Sequence, residues 1–127
     1  MKSLILALAL LISSTASANC SMLSDEDQKW FIASNIAIFT DWQTTRDLAR
    51  RTNEVYREIG PLARQLIGSQ PSLASVDAFI AARFLVNYYI ACKTENSDFK
   101  HLYLIITTTS HGLATVNNYN VGLRIRF

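Results

Sequence analysis

The sequence predicts an all-α fold, a small bundle of three main helices plus a short one, with an extended C-terminal tail. Apolar residues recur at helical spacing over three long stretches. Capping residues stand where two of these stretches begin, and only the last few residues alternate with the period of a strand. The 127 residues are one domain's worth of chain.

The first residues have the composition of an export signal. Lys2 precedes an uninterrupted apolar run from Leu4 to Ile12, and residues 16–18 are the small side chains that signal peptidase cuts after. We predict a signal peptide over 1–18 and a single helical domain over 19–127. An uncleaved membrane anchor is the alternative, although the run is shorter than the ~20 residues of a spanning helix.

The chain has two cysteines, Cys20 and Cys92. In an exported protein an even cysteine count favours a disulfide, and we predict one between them. Joining positions 72 apart would stabilise the fold by roughly 3 to 4 kcal/mol in the loop-entropy model. Two buried or free thiols are one alternative. A lipoprotein modified at Cys20 is another, although Asn19 stands where a small residue is expected.

Charge composition does not identify a partner. The 12 Lys and Arg residues against 10 Asp and Glu residues give a net charge of +2, and export argues against a nucleic-acid partner. Arg46, Arg50 and Arg51 cluster near the end of the first predicted helix, where cations are favourable. We interpret them as a solvated face, with contact to anionic lipid headgroups as the alternative.

The first predicted helix organises the chain. It begins after Ser24, whose hydroxyl caps free backbone donors ahead of three acidic residues, and continues to about Thr52. Its apolar stripe consists of Ser34, Ala37, Ile38, Asp41, Thr45 and Leu48. A buried carboxylate either finds hydrogen-bond donors or takes up a proton, so Asp41 requires a partner elsewhere in the chain.

The partner is predicted on the most apolar stretch, a helix from Leu73 to Cys92. Its apolar side carries Arg83 and Asn87 one turn apart. We predict that Arg83 pairs directly with Asp41, because a guanidinium and a carboxylate form a bidentate pair that stays charged. The predicted structural polar cluster is Asp41, Thr45, Arg83 and Asn87.

The remaining elements are predicted with less regular patterns. Pro61 opens a short helix through Ile67 that Gly68 closes, and Ser72 caps the long helix after it. A third main helix covers Phe99 to Val116. Its threonines leave a strand over 102–109 as an alternative.

The tail 119–127 alternates apolar residues with polar or small ones. We predict that its apolar side packs on the helices. Alternatively it adds to a partner's sheet edge or inserts at a membrane. The chain is too short for the eight strands of the smallest outer-membrane barrels.

Several of these residues together resemble a family of small exported bacterial proteins whose function is uncharacterised. The signature positions are Asp41, Trp42, Thr45, Glu58, Pro61, Gly68, Pro71, Ser72, Val76, Asp77, Phe79, Asn117, Gly122, Leu123, Ile125 and Phe127. The resemblance spans most of the chain after the predicted signal, with Gly60 where the family pattern has Asn. It implies special positions, above all Asp41, Trp42, Thr45, Pro71, Asn117, Gly122 and Phe127, and no activity.

Catalytic and metal-binding patterns are scarce. His101 and His111 are ten positions apart, so on one helix they diverge by roughly 80°, and the sequence has no HExxH motif, paired CxxC or glycine-rich phosphate loop. We predict no metal, no cofactor and no catalytic residue. The alternative is a small envelope hydrolase that uses Asp41, Thr45 and Arg83 with a histidine.

We therefore expect a non-catalytic protein of the periplasm or cell envelope, a structural or interaction module that contacts a membrane or a protein partner. A water-soluble or peripheral bundle and a membrane-embedded bundle both remain open. Arg83 would cost about 2.5 to 3.5 kcal/mol at the centre of a membrane helix, but a partner inside the bundle would offset this cost.

Overall fold

The structure is a computed structural model that describes residues 20, 23–51, 58 and 60–126. Within these residues the helices are α1 (Asp25–Arg50), α2 (Pro61–Ile67), α3 (Leu73–Lys93) and α4 (Ser97–Asn120). This confirms the predicted all-α class of three main helices and a short one with an extended tail. The predicted export signal lies outside the described residues.

Side-chain caps explain where the long helices begin. The Ser24 hydroxyl accepts a hydrogen bond from the backbone N–H of Asp27, and the Ser72 hydroxyl accepts one from Ser75, both at 3.1 Å. The carboxamide of Asn96, which the sequence analysis did not identify, accepts from Phe99. Each cap satisfies a backbone donor that has no partner inside its own helix.

The threonine-rich part of the chain is helical throughout, so the strand alternative over 102–109 is wrong. The hydroxyls of Thr108 and Thr115 donate to backbone carbonyl groups four residues earlier, at 2.8 and 3.0 Å. These bonds satisfy the hydroxyls within the helix. The helix also continues through Tyr119 to Asn120, so the extended tail begins later than predicted.

The three main helices are arranged around α1, which packs against both α3 and α4, while contacts between α3 and α4 are sparser. The disulfide joins the segment before α1 to the end of α3, which makes these two helices antiparallel. Asp27 and His101, each near the start of its helix, contact one another, so α1 and α4 are parallel.

The predicted disulfide between Cys20 and Cys92 is present, with the two Cα atoms 4.8 Å apart. Both cysteines of the chain are used in it. The alternative of two free thiols is therefore wrong, and the Cys20 sulfur is not free to carry a lipid.

Two separate apolar clusters form the core. The first, near the disulfide, contains Cys20, Phe31, Ala91, Cys92 and Leu104. The second, nearer the other end of α1, contains Ile38, Trp42, Ala49, Val76 and Ile80. Polar side chains lie between the two clusters and beyond the second one.

The tail packs its apolar side on the helices only in part: Leu123 packs inward, as predicted, whereas Tyr119 and Val121 of the same predicted side are exposed. Leu123 is fully buried, and its backbone N–H donates to the carbonyl of Asn118 at 2.8 Å. Gly122, one of the positions of the predicted family resemblance, has a φ of +94°, a conformation that is costly for a residue with a Cβ atom. The chain reverses there, at the end of α4, to bring Leu123 inward.

Candidate functional site

The candidate site lies between the three main helices and contains Asp41 from α1, Arg83 from α3 and His111 from α4. His111 Nδ1 lies 2.6 Å from Asp41 Oδ2, and His111 Nε2 lies 3.4 Å from Arg83 Nη2. The side chains of Asp41 and His111 are only 14% and 10% exposed. One imidazole ring thus connects a carboxylate to a guanidinium inside the bundle.

Donor and acceptor chemistry sets the direction of these bonds. A guanidinium only donates and an ionised carboxylate only accepts. A neutral imidazole protonated at Nδ1 satisfies both neighbours, since it donates to Asp41 and accepts from Arg83. The three groups then carry no net charge together, which is the arrangement that a site shielded from water tolerates best.

The other oxygen of Asp41 also has donors. Thr45 donates its hydroxyl to Asp41 Oδ1 at 3.2 Å, and the amide of Asn118 lies 3.4 Å from the same oxygen. The Asn118 amide also donates to the Thr44 hydroxyl at 2.8 Å. The requirement that Asp41 find donors is therefore met, mainly by residues that the sequence analysis did not assign to it.

The direct pair between Asp41 and Arg83 is the part of the prediction that was wrong. Arg83 does face Asp41 across the bundle, but the imidazole of His111 lies between the two side chains. The sequence analysis considered His111 only relative to His101, and named no particular histidine in the hydrolase alternative. No local pattern indicated that α4 would place this ring between the other two helices.

Asn87 belongs to a neighbouring polar contact. Its amide nitrogen donates to the hydroxyl of Ser34 and to the carboxamide oxygen of Asn35, both at 2.9 Å. Asn87 and Ser34 are completely buried. Of the four predicted cluster residues, Asp41 and Thr45 are in direct contact, Arg83 joins them through His111, and Asn87 connects α3 to α1 separately.

A second buried carboxylate, Asp47, holds the tail. Its side chain is 2% exposed and receives Arg51 Nη2 at 2.9 Å and Arg126 Nε at 3.0 Å. It also accepts the backbone N–H of Arg124 at 3.0 Å. The sequence analysis missed this role, although two arginines on one side of an alternating tail indicate that the tail packs near an acidic group.

The positions of the predicted family resemblance lie in different parts of the fold. The indole N–H of Trp42 donates to Asp77 Oδ1 at 2.8 Å, which joins two signature residues across α1 and α3. Pro71 is buried just ahead of α3. The carbonyl of Asn117 accepts the backbone N–H of Val121 where α4 ends. Phe127 lies outside the described residues.

The other histidine pairs with an acid near the disulfide. His101 Nδ1 lies 2.7 Å from Asp27 Oδ1. This hydrogen bond raises the pKa of His101 above its ordinary value of 6.5, with smaller contributions from the charges of Asp27, Glu26 and Asp98, while partial loss of hydration opposes the shift. The pair connects the starts of α1 and α4.

The side chains around Asp41 and His111 limit the metal binding and catalysis that this site can support. In the part of the chain that the structure describes, no group of three His, Cys, Asp or Glu side chains is placed to hold a metal ion. The Asp41 and His111 pair resembles one that orients a general base, but the second ring nitrogen faces Arg83. A guanidinium is not a nucleophile, so the geometry favours a stabilising role.

Comparison with protein-family models, curated proteins and solved structures finds no match for this chain.

Proposed function

We propose that this protein is a non-catalytic helical module of the cell envelope whose apolar outer surface contacts membrane lipid. The distribution of polarity supports this. Among the described residues, 13 buried side chains are hydrophobic and 10 are polar or charged, while 15 large hydrophobic side chains are exposed. Single exposed hydrophobic residues are normal on a water-soluble domain, but large exposed apolar patches mark contact with a membrane or a partner.

Ten of these 15 exposed side chains lie in a zone that is cleared of charge. We call this zone the apolar belt and define it as residues 30–45 of α1, 78–92 of α3 and 102–120 of α4. Its only Asp, Glu, Lys or Arg residues are Asp41 and Arg83, the two that His111 connects in the interior. The site described above therefore neutralises the charges of the belt away from its outer surface.

The dimensions of the belt suit a bilayer. At 1.5 Å per residue the three segments rise about 22 to 28 Å, most of the ~30 Å thickness of a hydrocarbon core. Leu73–Lys93 is long and apolar enough to span a membrane, and only 17% of its apolar window is buried inside the protein. The core helix of a soluble protein would be mostly buried.

Exposed side chains on every main helix favour lipid over a single protein partner. Ile36 on α1, Leu85 on α3 and Leu113 on α4 are each at least 60% exposed. A protein interface usually occupies one patch of about 800 Å² on each partner, whereas lipid covers all faces. Tyr89 and Tyr119, both exposed, lie near opposite edges of the belt, where amphipathic rings favour the interface with water.

The disulfide supports placement in the envelope, because disulfides persist in oxidising compartments. Export through residues 1–18 remains a prediction. The polar site then has a structural role, since an arginine inside a membrane is normally paired within the bundle. By connecting all three main helices, it fixes how they face one another.

A small hydrolase is the second candidate. The 2.6 Å contact between Asp41 and His111 favours it, because a carboxylate that orients an imidazole is part of many hydrolytic sites. Against it, the hydroxyls of Thr44 and Thr45 lie on the carboxylate side of the ring, away from Nε2. An esterase or amidase activity that His111→Asn abolishes would favour this candidate.

A charge placed on the belt tests the proposal. Ile106→Arg replaces a 56% exposed side chain near the middle of α4, and Leu66→Arg replaces a 64% exposed one on α2, outside the belt. At membrane depth an arginine costs about 2.5 to 3.5 kcal/mol, whereas on a surface in water it changes stability by about 0.5 kcal/mol or less. The assay measures the folded protein that stays in the membrane pellet after a carbonate wash.

We expect the wild-type chain in the pellet, the Leu66→Arg variant with it, and a clear loss for Ile106→Arg. A wild-type chain that washes into the supernatant, with both variants equally stable, would overturn the proposal. Release as a stable complex with another protein would also overturn it, in favour of a protein partner.

A further inference from the structure

The charged residues outside the belt differ between its two ends. Lys and Arg at the end that carries the disulfide are Lys29, Lys93 and Lys100. Lys and Arg at the opposite end are Arg46, Arg50, Arg51, Arg64, Arg124 and Arg126. Among the described residues, the end without the disulfide thus has twice as many cations, and all of them are arginines. We call the two ends the disulfide end and the arginine end.

The assignment of residues to ends follows from contacts. The disulfide fixes the start of α1 beside the end of α3, and the bond from Trp42 to Asp77 fixes the other ends of the same helices together. The Asp47 carboxylate binds Arg126 of the tail, which follows α4. All segments that leave the belt away from the disulfide therefore emerge on one side.

From these two features we infer that the chain crosses the membrane three times, with the arginine end on the cytoplasmic side and the disulfide end in the oxidising compartment. This inference rests on the proposed function. Cations in short segments next to spanning helices are retained on the cytoplasmic side, where they also meet the anionic headgroups of that leaflet. The cytoplasm keeps thiols reduced, so a stable disulfide belongs on the other side.

The two observations are independent, and they agree. The arginine distribution is a property of the sequence around α2 and the tail, while the disulfide depends on the positions of Cys20 and Cys92. Either feature alone would orient the bundle in the same direction. An odd number of crossings places the segment before α1 and the tail after α4 on opposite sides, which the parallel packing of α1 and α4 requires.

Two single substitutions on exposed residues test the orientation. Glu95→Cys places a thiol at the disulfide end, and Leu66→Cys places one at the arginine end. Because the native cysteines are joined to each other, the new thiol is the only free one. Intact spheroplasts that express each variant are treated with a membrane-impermeant maleimide, before and after lysis, and the carbonate pellet is collected.

We expect Glu95→Cys to be labelled in intact spheroplasts and Leu66→Cys to be labelled only after lysis, with both proteins in the pellet. The reverse pattern, or equal labelling of both in the pellet before lysis, would overturn the orientation while leaving membrane insertion intact. Recovery of both variants in the carbonate supernatant would instead overturn the proposed function. Far-UV circular dichroism of the purified variants, compared with the wild type, confirms that each is folded.

Discussion

Removal of the Asp47 carboxylate is expected to release the C-terminal tail and leave the main helices folded. Two of the three donors on this carboxylate come from the tail, the backbone N–H of Arg124 and the side chain of Arg126. The third donor, Arg51, lies four residues along from Asp47 at the end of α1. Its Nη2 also donates to the Gly122 carbonyl at 3.4 Å, a contact with the start of the tail that does not involve Asp47. The Asp47→Ala variant removes all three.

The size of the effect follows from the two tail contacts. A hydrogen bond to a charged group contributes about 1.5 to 3 kcal/mol. The Arg126 side chain is 57% exposed, and an ion pair with such a partner contributes about 0.2 to 1 kcal/mol. Together they hold the tail by about 2 to 4 kcal/mol, so its opening should become roughly 30 to 700 times more frequent in Asp47→Ala.

Hydrogen exchange at the amides of Leu123 and Arg124 measures this opening. Asp47→Asn keeps an acceptor but not the charge, so its effect should be smaller. Asp77→Ala is the control, because Asp77 is also a carboxylate with an arginine partner, Arg46, and does not touch the tail. Unchanged exchange in Asp47→Ala would refute the reasoning, as would unfolding of α1 and α4 together with the tail.

Two further predictions concern the histidines. In a double-mutant cycle of Asp41→Asn and Arg83→Gln, scored by unfolding free energy, the coupling should lie in the range of about 0.5 to 3 kcal/mol and vanish when His111 is also replaced by Ala. A coupling that survives would mean a direct pair. His101 should titrate above 6.5 by NMR, and Asp27→Asn should lower its midpoint. Because the folded pKa is raised, this contact stabilises the fold below the unfolded pKa and is lost as pH rises through the folded value. A midpoint that Asp27→Asn leaves unchanged would assign the shift to another group.

The helices were predictable because their signals are local. Ser24 and Ser72 cap the first turn that follows each of them, and Gly68 ends α2 at a φ of +85° that favours glycine. The strand alternative for the threonine-rich segment failed because hydroxyls can donate to carbonyl groups within the same helix, as Thr108 does. The low helix propensity of threonine alone does not reveal that such hydrogen bonds satisfy its hydroxyl within the helix.

The contacts of the site were predictable only in part, because periodicity identifies the inner face of a helix and not its neighbour. Asp41 and Arg83 both lie on inner faces, as expected, but their relation depends on how α4 is rotated beside them. His111 is 70 positions from Asp41, and no pattern near it sets that rotation. The donors to Asp47 are as distant, since Arg124 and Arg126 lie in the tail.

If the bundle lies in a membrane, as proposed, its polar interior and its apolar exterior have the same physical explanation. In water, helices associate mainly because burial removes apolar surface from solvent, and this bundle would leave much of that surface outside. In lipid that driving force is absent, so association depends on close packing and on hydrogen bonds between helices. Bonds of this kind connect Asn87 to Ser34 and Thr40 to Thr115, at 2.9 and 3.2 Å.

The same distribution explains why, among the helices that the structure describes, α3 alone has the hydropathy of a spanning helix. Both α1 and α4 direct hydroxyl, amide and imidazole groups inward, which lowers their average hydropathy without placing any charge on their outer faces within the belt. Leu102, Ile106, Leu113 and Val116 line the outer side of α4, each more than half exposed. The polarity of the outer surface therefore indicates the environment of such a helix. The average hydropathy over all of its residues conceals how apolar that surface is.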